Sequence, residues 1–79
     1  MNNEVTLYTL TVCPRCAAAK KRLDANGVTY TVVNLDEHPE KAEQFKARGI
    51  MAAPILTVGD YTYSTMSSIL DFCKSFSRT

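Results

Sequence analysis

Charge of one sign is the first thing this sequence lacks. Nine Lys and Arg stand against eight Asp and Glu, a net charge of +1, whereas a nucleic-acid partner would call for a strongly basic face. Long apolar runs are missing too, and none approaches the ~20 residues that cross a bilayer. The opening Met1-Asn2-Asn3-Glu4 has no basic stretch leading into an apolar one, so it does not read as an export signal. There is no repeat, linker or low-complexity segment. Cysteine is scarce, and three residues of it do not make a disulfide framework. An odd count with one Cys-x-x-Cys pair and no export signal points to a reducing cytosol, where a disulfide is transient and catalytic. Histidine is scarcer still: the single His38 stands before Pro39 in a turn-like stretch, and nothing sets it beside a thiol as a cysteine protease requires.

What is present is an ordinary globular composition, 46% hydrophobic and 22% charged over 79 residues. The expectation is one cytoplasmic, monomeric domain over residues 1–79, close to the lower size limit for a core without staples, with neither nucleic acid nor membrane as partner.

The chain is organised around Cys13-Pro14-Arg15-Cys16, which closes the apolar run Val5–Val12 and opens a helix-forming run to Ala25. Two thiols three residues apart in a first helical turn can close a small disulfide and reopen it. Free N–H groups and the positive end of the helix dipole stabilise an anion at that position. A thiolate is such an anion, and cysteines placed in this way are acidified. Pro14 suits the first helical position, where its fixed φ fits and its missing N–H is not needed. Arg15 adds a permanent cation. Cys13 is therefore the candidate nucleophile, Cys16 the candidate resolving thiol, and Pro14 and Arg15 the residues that favour the thiolate.

Along the chain, Glu4–Leu10 alternates as a strand. Cys16, Ala19 and Leu23 then share a helical face, and Gly27 is the expected stop. Val28–Leu35 is β-branched and predicts a second strand. Pro39 starts a second helix with Ala42 and Phe45 on its apolar face and Gly49 at its end. Strand–helix–strand in about 30 residues implies a parallel pair with a right-handed crossover. After Ile50-Met51-Ala52-Ala53-Pro54, the runs Ile55–Val58 and Tyr61–Tyr63 flank Gly59-Asp60, a hairpin signal with glycine suited to the first position of a type II′ turn. Ser64 or Thr65 can cap a last helix with Met66, Ile69, Leu70 and Cys73 on one face. The order is β-α-β-α-β-β-α, an α/β chain with a mixed four-stranded sheet and flanking helices.

Rival readings of the same residues are weaker. A zinc site would need Cys73 and His38 to complete Cys13 and Cys16, but the pattern puts Cys73 on a core-facing helix and His38 in a loop. Cys73 reads as a small core hydrophobe. Lys20-Lys21-Arg22 reads as a solvated helix face, with the alternative that it joins Arg15 in steering an acidic partner. Tyr8 and Tyr63 fit either a groove or plain packing on the sheet.

With these residues in view, the chain resembles the glutaredoxins, a minimal branch of the thioredoxin fold. The resemblance runs over nearly the whole chain. It rests on Tyr8 five residues before the first cysteine, on Cys13-Pro14-x-Cys16, on Pro54 at the start of the third strand, and on Gly59-Asp60. It implies a dithiol–disulfide oxidoreductase with no bound cofactor, whose Cys13–Cys16 disulfide receives electrons that come ultimately from NADPH through a reductase. It also implies a cis bond before Pro54 and a substrate-binding surface made of Tyr8, Ala53, Pro54, Ser64 and Thr65, where the Ala53 backbone pairs with an extended peptide. A metal- or cluster-carrying module is a second role known in this family, typically with a single-cysteine site.

Two departures bear on the subtype. Glutathione-using glutaredoxins resemble one another in a lysine three residues before the first cysteine, where this chain has Leu10. They also share a Gly-Gly-x-Asp run opening the last helix, which falls here on Ser64-Thr65-Met66-Ser67. A charged tripeptide needs its ions paired, so both changes argue against a glutathione site. The chain is more similar to the small glutaredoxin-like redoxins that reduce ribonucleotide reductase and are recharged by thioredoxin reductase. Those carry serine at the place of Ser64, followed by Gly-Phe where this chain has Thr65-Met66.

Overall fold

The computed structural model describes residues 4–50 and 53–77, with side chains to Ser75. The leaderless reading of Met1–Asn3, and Met51 and Ala52 of the connector, lie outside the described residues. Seven elements follow in the expected order: β1 (Val5–Thr9), α1 (Pro14–Ala25), β2 (Thr31–Asn34), α2 (Pro39–Ala47), β3 (Ile55–Val58), β4 (Tyr61–Tyr63) and α3 (Met66–Ser77). The four strands form one sheet in the order β2-β1-β3-β4. β1 pairs in parallel with β2, from Thr6 opposite Thr31 to Thr9 opposite Asn34. It pairs antiparallel with β3, from Val5 opposite Val58 to Tyr8 opposite Ile55. β3 and β4 are the expected hairpin. Its turn has Gly59 at φ 59°, with no positive φ at any described non-glycine residue, so only the first central position is left-handed. That is the type II′ requirement.

Period-two alternation divides the sheet's side chains between two cores. Val5 and Leu7 of β1 and Leu56 of β3 join Ala19 and Leu23 of α1 and Ile69 and Cys73 of α3 in the larger one. Ile55 joins Leu35 and Phe45 of α2 in the smaller, with Tyr8, Ala42 and Ile50 packed against it. The helical face read from Cys16, Ala19 and Leu23 is buried throughout.

Both helix ends were legible from glycine, and the structure shows why each works. Past α1, the Gly27 N–H donates to the Asp24 carbonyl and the Val28 N–H to the Leu23 carbonyl, at 3.1 and 3.0 Å. Past α2, Gly49 and Ile50 do the same with Lys46 and Phe45, at 2.9 and 2.8 Å. These are paired Schellman bonds around a left-handed glycine, with φ 72° at Gly27 and 80° at Gly49.

The first of these motifs corrects the reading of β2. Val28 is not strand. Its N–H closes the helix and its side chain is buried with Leu23 in the larger core, so pairing with β1 begins only at Thr31. Leu10 and Leu35 likewise fall just past their strands, although the Leu35 N–H still donates to the Thr9 carbonyl at 2.7 Å.

Candidate active site

Cys13 occupies the N-cap of α1, with an extended backbone at φ −153° and Pro14 in the first turn. Its sulfur accepts the backbone N–H of Cys16 at 3.1 Å, the position a serine or aspartate oxygen would fill at an ordinary N-cap. Its carbonyl accepts the Ala17 N–H at 3.2 Å. Cys13 and Cys16 are joined as a disulfide, their Cα atoms 5.2 Å apart. The two sulfurs are not equivalent. Cys13 is half-buried and preceded by Val12, which is 86% exposed, whereas Cys16 is 2% exposed against the core side of α1. An incoming group therefore reaches Cys13 first. Arg15 between them is exposed.

Beside the pair lies a groove of about 270 Å³ walled by Arg15, Ala53, Pro54, Ser64, Thr65 and Met66. Five of these are residues singled out from the sequence, and the fold collects them from three separate stretches. The Ala53–Pro54 bond is cis, as the resemblance implied, and Pro54 is buried. Of the two capping candidates for α3, Thr65 is the one used. Its Oγ accepts the Ser68 N–H at 3.1 Å, and the Ser68 Oγ accepts the Thr65 N–H at 3.3 Å. This reciprocal pair is a capping box with serine in the place usually held by Glu or Gln. Tyr8 stands apart from the groove, half-buried with its ring edge-on to Phe45 at a centroid distance of 4.8 Å. Tyr63 packs against Phe72 with the two rings tilted at 41°.

One feature went unread in the sequence. Thr11, leading into Cys13, is tied to the end of β2 and the loop after it by a closed ring of hydrogen bonds. The Thr11 N–H donates to Asp36 Oδ2 at 2.9 Å, the Asp36 N–H to Asn34 Oδ1 at 2.8 Å, and Asn34 Nδ2 to Thr11 Oγ at 3.2 Å. The bond from the Thr11 backbone holds the Asp36 carboxyl below the usual carboxylate range. An Asn-x-Asp at the end of the predicted strand was visible, but the partner of its Asp36, 25 residues upstream, was not. Beside the same segment, Leu10 and Ala53 border a hollow of about 220 Å³ floored by Leu35, Phe45, Ile50 and Ile55. Leu10 thus meets an apolar surface at the place where a glutathione-binding lysine was expected to be missing.

The zinc ligands weighed from the sequence do not come together. Among the described residues no three His, Cys, Asp or Glu gather to hold an ion. Cys73 is buried in the larger core, where loss of solvent pushes its thiol up and Arg22 draws it partly back. His38 stands exposed at the N-cap position of α2 without a side-chain capping bond, its Nδ1 3.5 Å from Glu40 Oε2.

Comparison with known proteins agrees with this arrangement. The glutaredoxin family profile matches residues 5–61. The glutaredoxin-like protein NrdH of Escherichia coli (strain K12) is 33% identical over 60 residues, 76% of this chain and 74% of that protein. That of Lactococcus lactis subsp. cremoris (strain MG1363) is 35% identical over 60 residues, 76% of this chain and 83% of its own length. The solved NrdH-redoxin of Escherichia coli, described by its thioredoxin-like activity profile, superposes with a TM-score of 0.81 at 29% identity, covering 91% of this chain and 92% of that one. A Cys-x-x-Cys disulfide capping a helix on this four-stranded sheet, and relatives that match over most of their length, lead to one assignment: the chain belongs to the glutaredoxin family and is a glutaredoxin-like thiol–disulfide oxidoreductase.

Proposed function

We propose that this chain is a cytosolic electron donor that is recharged by thioredoxin reductase and reduces protein disulfides, that of ribonucleotide reductase foremost. The carrying observation is the Cys13 sulfur at the N-cap of α1, accepting the Cys16 N–H at 3.1 Å while Cys16 lies buried behind it. In the reduced protein the same N–H and the helix dipole favour a thiolate at Cys13, and Arg15 adds its charge.

The Cys13 thiolate attacks one sulfur of the substrate disulfide. A Cys13–substrate bond forms, the substrate S–S bond breaks, and the departing sulfur leaves with the electron pair. Cys16 then gives up its proton and attacks the Cys13 sulfur. The mixed disulfide breaks, the second substrate thiolate leaves and is protonated, and the Cys13–Cys16 disulfide is restored. Two electrons have passed to the substrate, and two from NADPH, delivered through the reductase, reopen the pair. Ala53 and Pro54 hold the substrate chain in the groove with Ser64 and Thr65 opposite. The exchange rate reflects both thiolate fraction and nucleophilicity, so the most acidic thiol is not the fastest.

Two observations favour thioredoxin reductase over glutathione as the source of electrons. Leu10 turns an apolar surface where a carboxylate would need a cation, and the Thr65–Ser68 box already uses N–H groups at the start of α3. The thioredoxin-like activity profile ascribed to the solved Escherichia coli relative points the same way. The test supplies NADPH in parallel through thioredoxin reductase and through glutathione with its reductase. Turnover with the first alone is expected. Turnover with glutathione alone would overturn the partner assignment and make Arg15 the first residue to examine as its anchor. Turnover with neither, while both reductases work on control substrates, would overturn the donor function.

A further inference from the structure

The apolar hollow and the Arg15 groove share a wall. Ala53 borders both, yet they open on opposite faces of the sheet. The hollow is floored by Leu35, Phe45 and Ile55 of the smaller core beneath α2, whereas Met66 of the groove packs against the larger core beneath α1 and α3. Their charges differ as well. Among the described residues, Arg15 is the groove's only charged wall residue. The hollow is rimmed by Asp36 and Lys46. Lys46 lies 3.7 Å from Glu43, and Asp36 is held ionised by Thr11. At about 220 Å³ the hollow is below the roughly 300–1,000 Å³ of pockets that enclose a whole small molecule. It suits a single large side chain.

An extended segment lying along Ala53 sends successive side chains to opposite faces. If its cysteine faces Cys13 on the α1 side, the residues next to that cysteine face the α2 side, and those two removed return to the Arg15 side.

We infer that these two depressions read the partner's sequence: the hollow takes a large aliphatic residue adjacent to the substrate cysteine, and Arg15 takes an acidic residue two positions from it. The occupant is thus an extended, disulfide-bearing protein segment with an apolar–acidic flank. This inference rests on the dithiol-exchange reading above. Val12, 86% exposed, stands next to the reactive Cys13 in the chain.

The test uses pre-reduced full-length protein in single turnover, so that no reductase enters. Its probes are disulfide-linked dimers of three capped peptides: Glu-Leu-Cys-Leu-Glu, Glu-Ser-Cys-Ser-Glu and Lys-Leu-Cys-Leu-Lys. Symmetric flanks make the direction of docking immaterial, and hydroxyethyl disulfide serves as a flankless reference. Replacing both leucines by serine is expected to slow exchange about tenfold, the scale of burying part of one aliphatic side chain. Replacing glutamate by lysine is expected to slow it roughly threefold, with the difference shrinking as salt rises.

In Leu10→Ser and Ile50→Ser proteins the leucine/serine rate ratio should fall toward one, a readout that general loss of activity would not produce. Equal rates for the leucine and serine peptides, or a preference that both variants keep, would overturn the inference while leaving exchange intact. Self-association of the chain that Leu10→Ser abolishes would give the hollow to a second copy and overturn it as well. Failure to reduce even hydroxyethyl disulfide would instead remove the exchange reading on which it stands.

Discussion

Two helices of this molecule begin beside the same groove and solve the same problem in opposite ways. Every helix start leaves backbone N–H groups without partners inside the helix. At α3 the Thr65 hydroxyl accepts from Ser68 and the Ser68 hydroxyl accepts from Thr65, a closed arrangement made of groups that do not change. At α1 the partner is the Cys13 sulfur, which changes its bonding and charge each time the disulfide opens. A hydroxyl cap contributes stability alone. A sulfur cap makes the same backbone donor serve a reaction, because whatever stabilises the cap also stabilises the thiolate. The difference teaches that a helix start becomes reactive through the chemistry of its cap and not through its dipole, which both helices possess.

The contrast breaks most sharply at Cys13. A Cys13→Ser protein keeps an N-cap hydroxyl, so it should fold and melt within about 1 kcal/mol of the parent, yet NADPH-coupled disulfide reduction should be lost entirely. Such a variant would make α1 resemble α3. Residual turnover above one part in a thousand would show that Cys13 is not the attacking group. Cys16→Ser is the next largest change. It should still react once and then stop, accumulating a covalent adduct with its substrate that mass spectrometry detects and dithiothreitol removes. An adduct through Cys73 instead would show that Cys13 is not the attacking group. In the reduced parent, an alkylating reagent should label Cys13 rapidly and the buried Cys16 more slowly. Cys73, buried and with its thiol pushed up, should be labelled only after unfolding.

How much of this was legible depended on how local the cause was. The buried stripe Cys16-Ala19-Leu23, the helix stops at Gly27 and Gly49 and the turn at Gly59 follow from periodicity and from φ, which are properties of a few consecutive residues. Pro14 and the cysteine spacing announced the sulfur cap for the same reason. Val28 misled because a β-branched residue just past a glycine serves equally as the first residue of a strand or as the hydrophobic closure of a Schellman motif. Only the packing against Leu23 decides between them. The choice between Ser64 and Thr65 needed Ser68, three residues further on. The apolar hollow at Leu10 needed residues from α2 and the end of the connector, and a sequence taken alone gives no reason to bring those together.

Opening the α3 cap should produce a smaller effect than either cysteine variant. A Thr65→Ala, Ser68→Ala double variant removes both hydroxyls and should cost about 1–2 kcal/mol, read as a lower melting temperature, with exchange on small disulfides retained. If the two starts differ only in their caps, the freed N–H groups should also raise the protein's use of glutathione, measured as KM in the coupled assay. No change in glutathione use would mean that Leu10 and not the closed cap excludes it.

The smallest expected effect tests what holds the reactive start in place. Asp36 accepts the Thr11 N–H two residues before Cys13, and that bond lowers its carboxyl below the ordinary value. A carboxyl depressed in the folded state contributes stability that is present above its unfolded value, roughly pH 4. The contribution is lost as pH falls through the lower folded value. Being fully exposed to solvent, Asp36 should contribute little to global unfolding, so the readout must be local. Amide exchange at Thr11 should accelerate as acid protonates Asp36, and an Asp36→Ala protein should show fast exchange at every pH. Asp36→Asn, which keeps an acceptor oxygen, should slow Thr11 again but without the acid limb. The corresponding amide at Ser68 in α3, held by a hydroxyl that does not titrate in this range, should show no acid limb in any of the three proteins. Its appearance there would mean that acid loosens the whole groove and not the segment that carries Cys13.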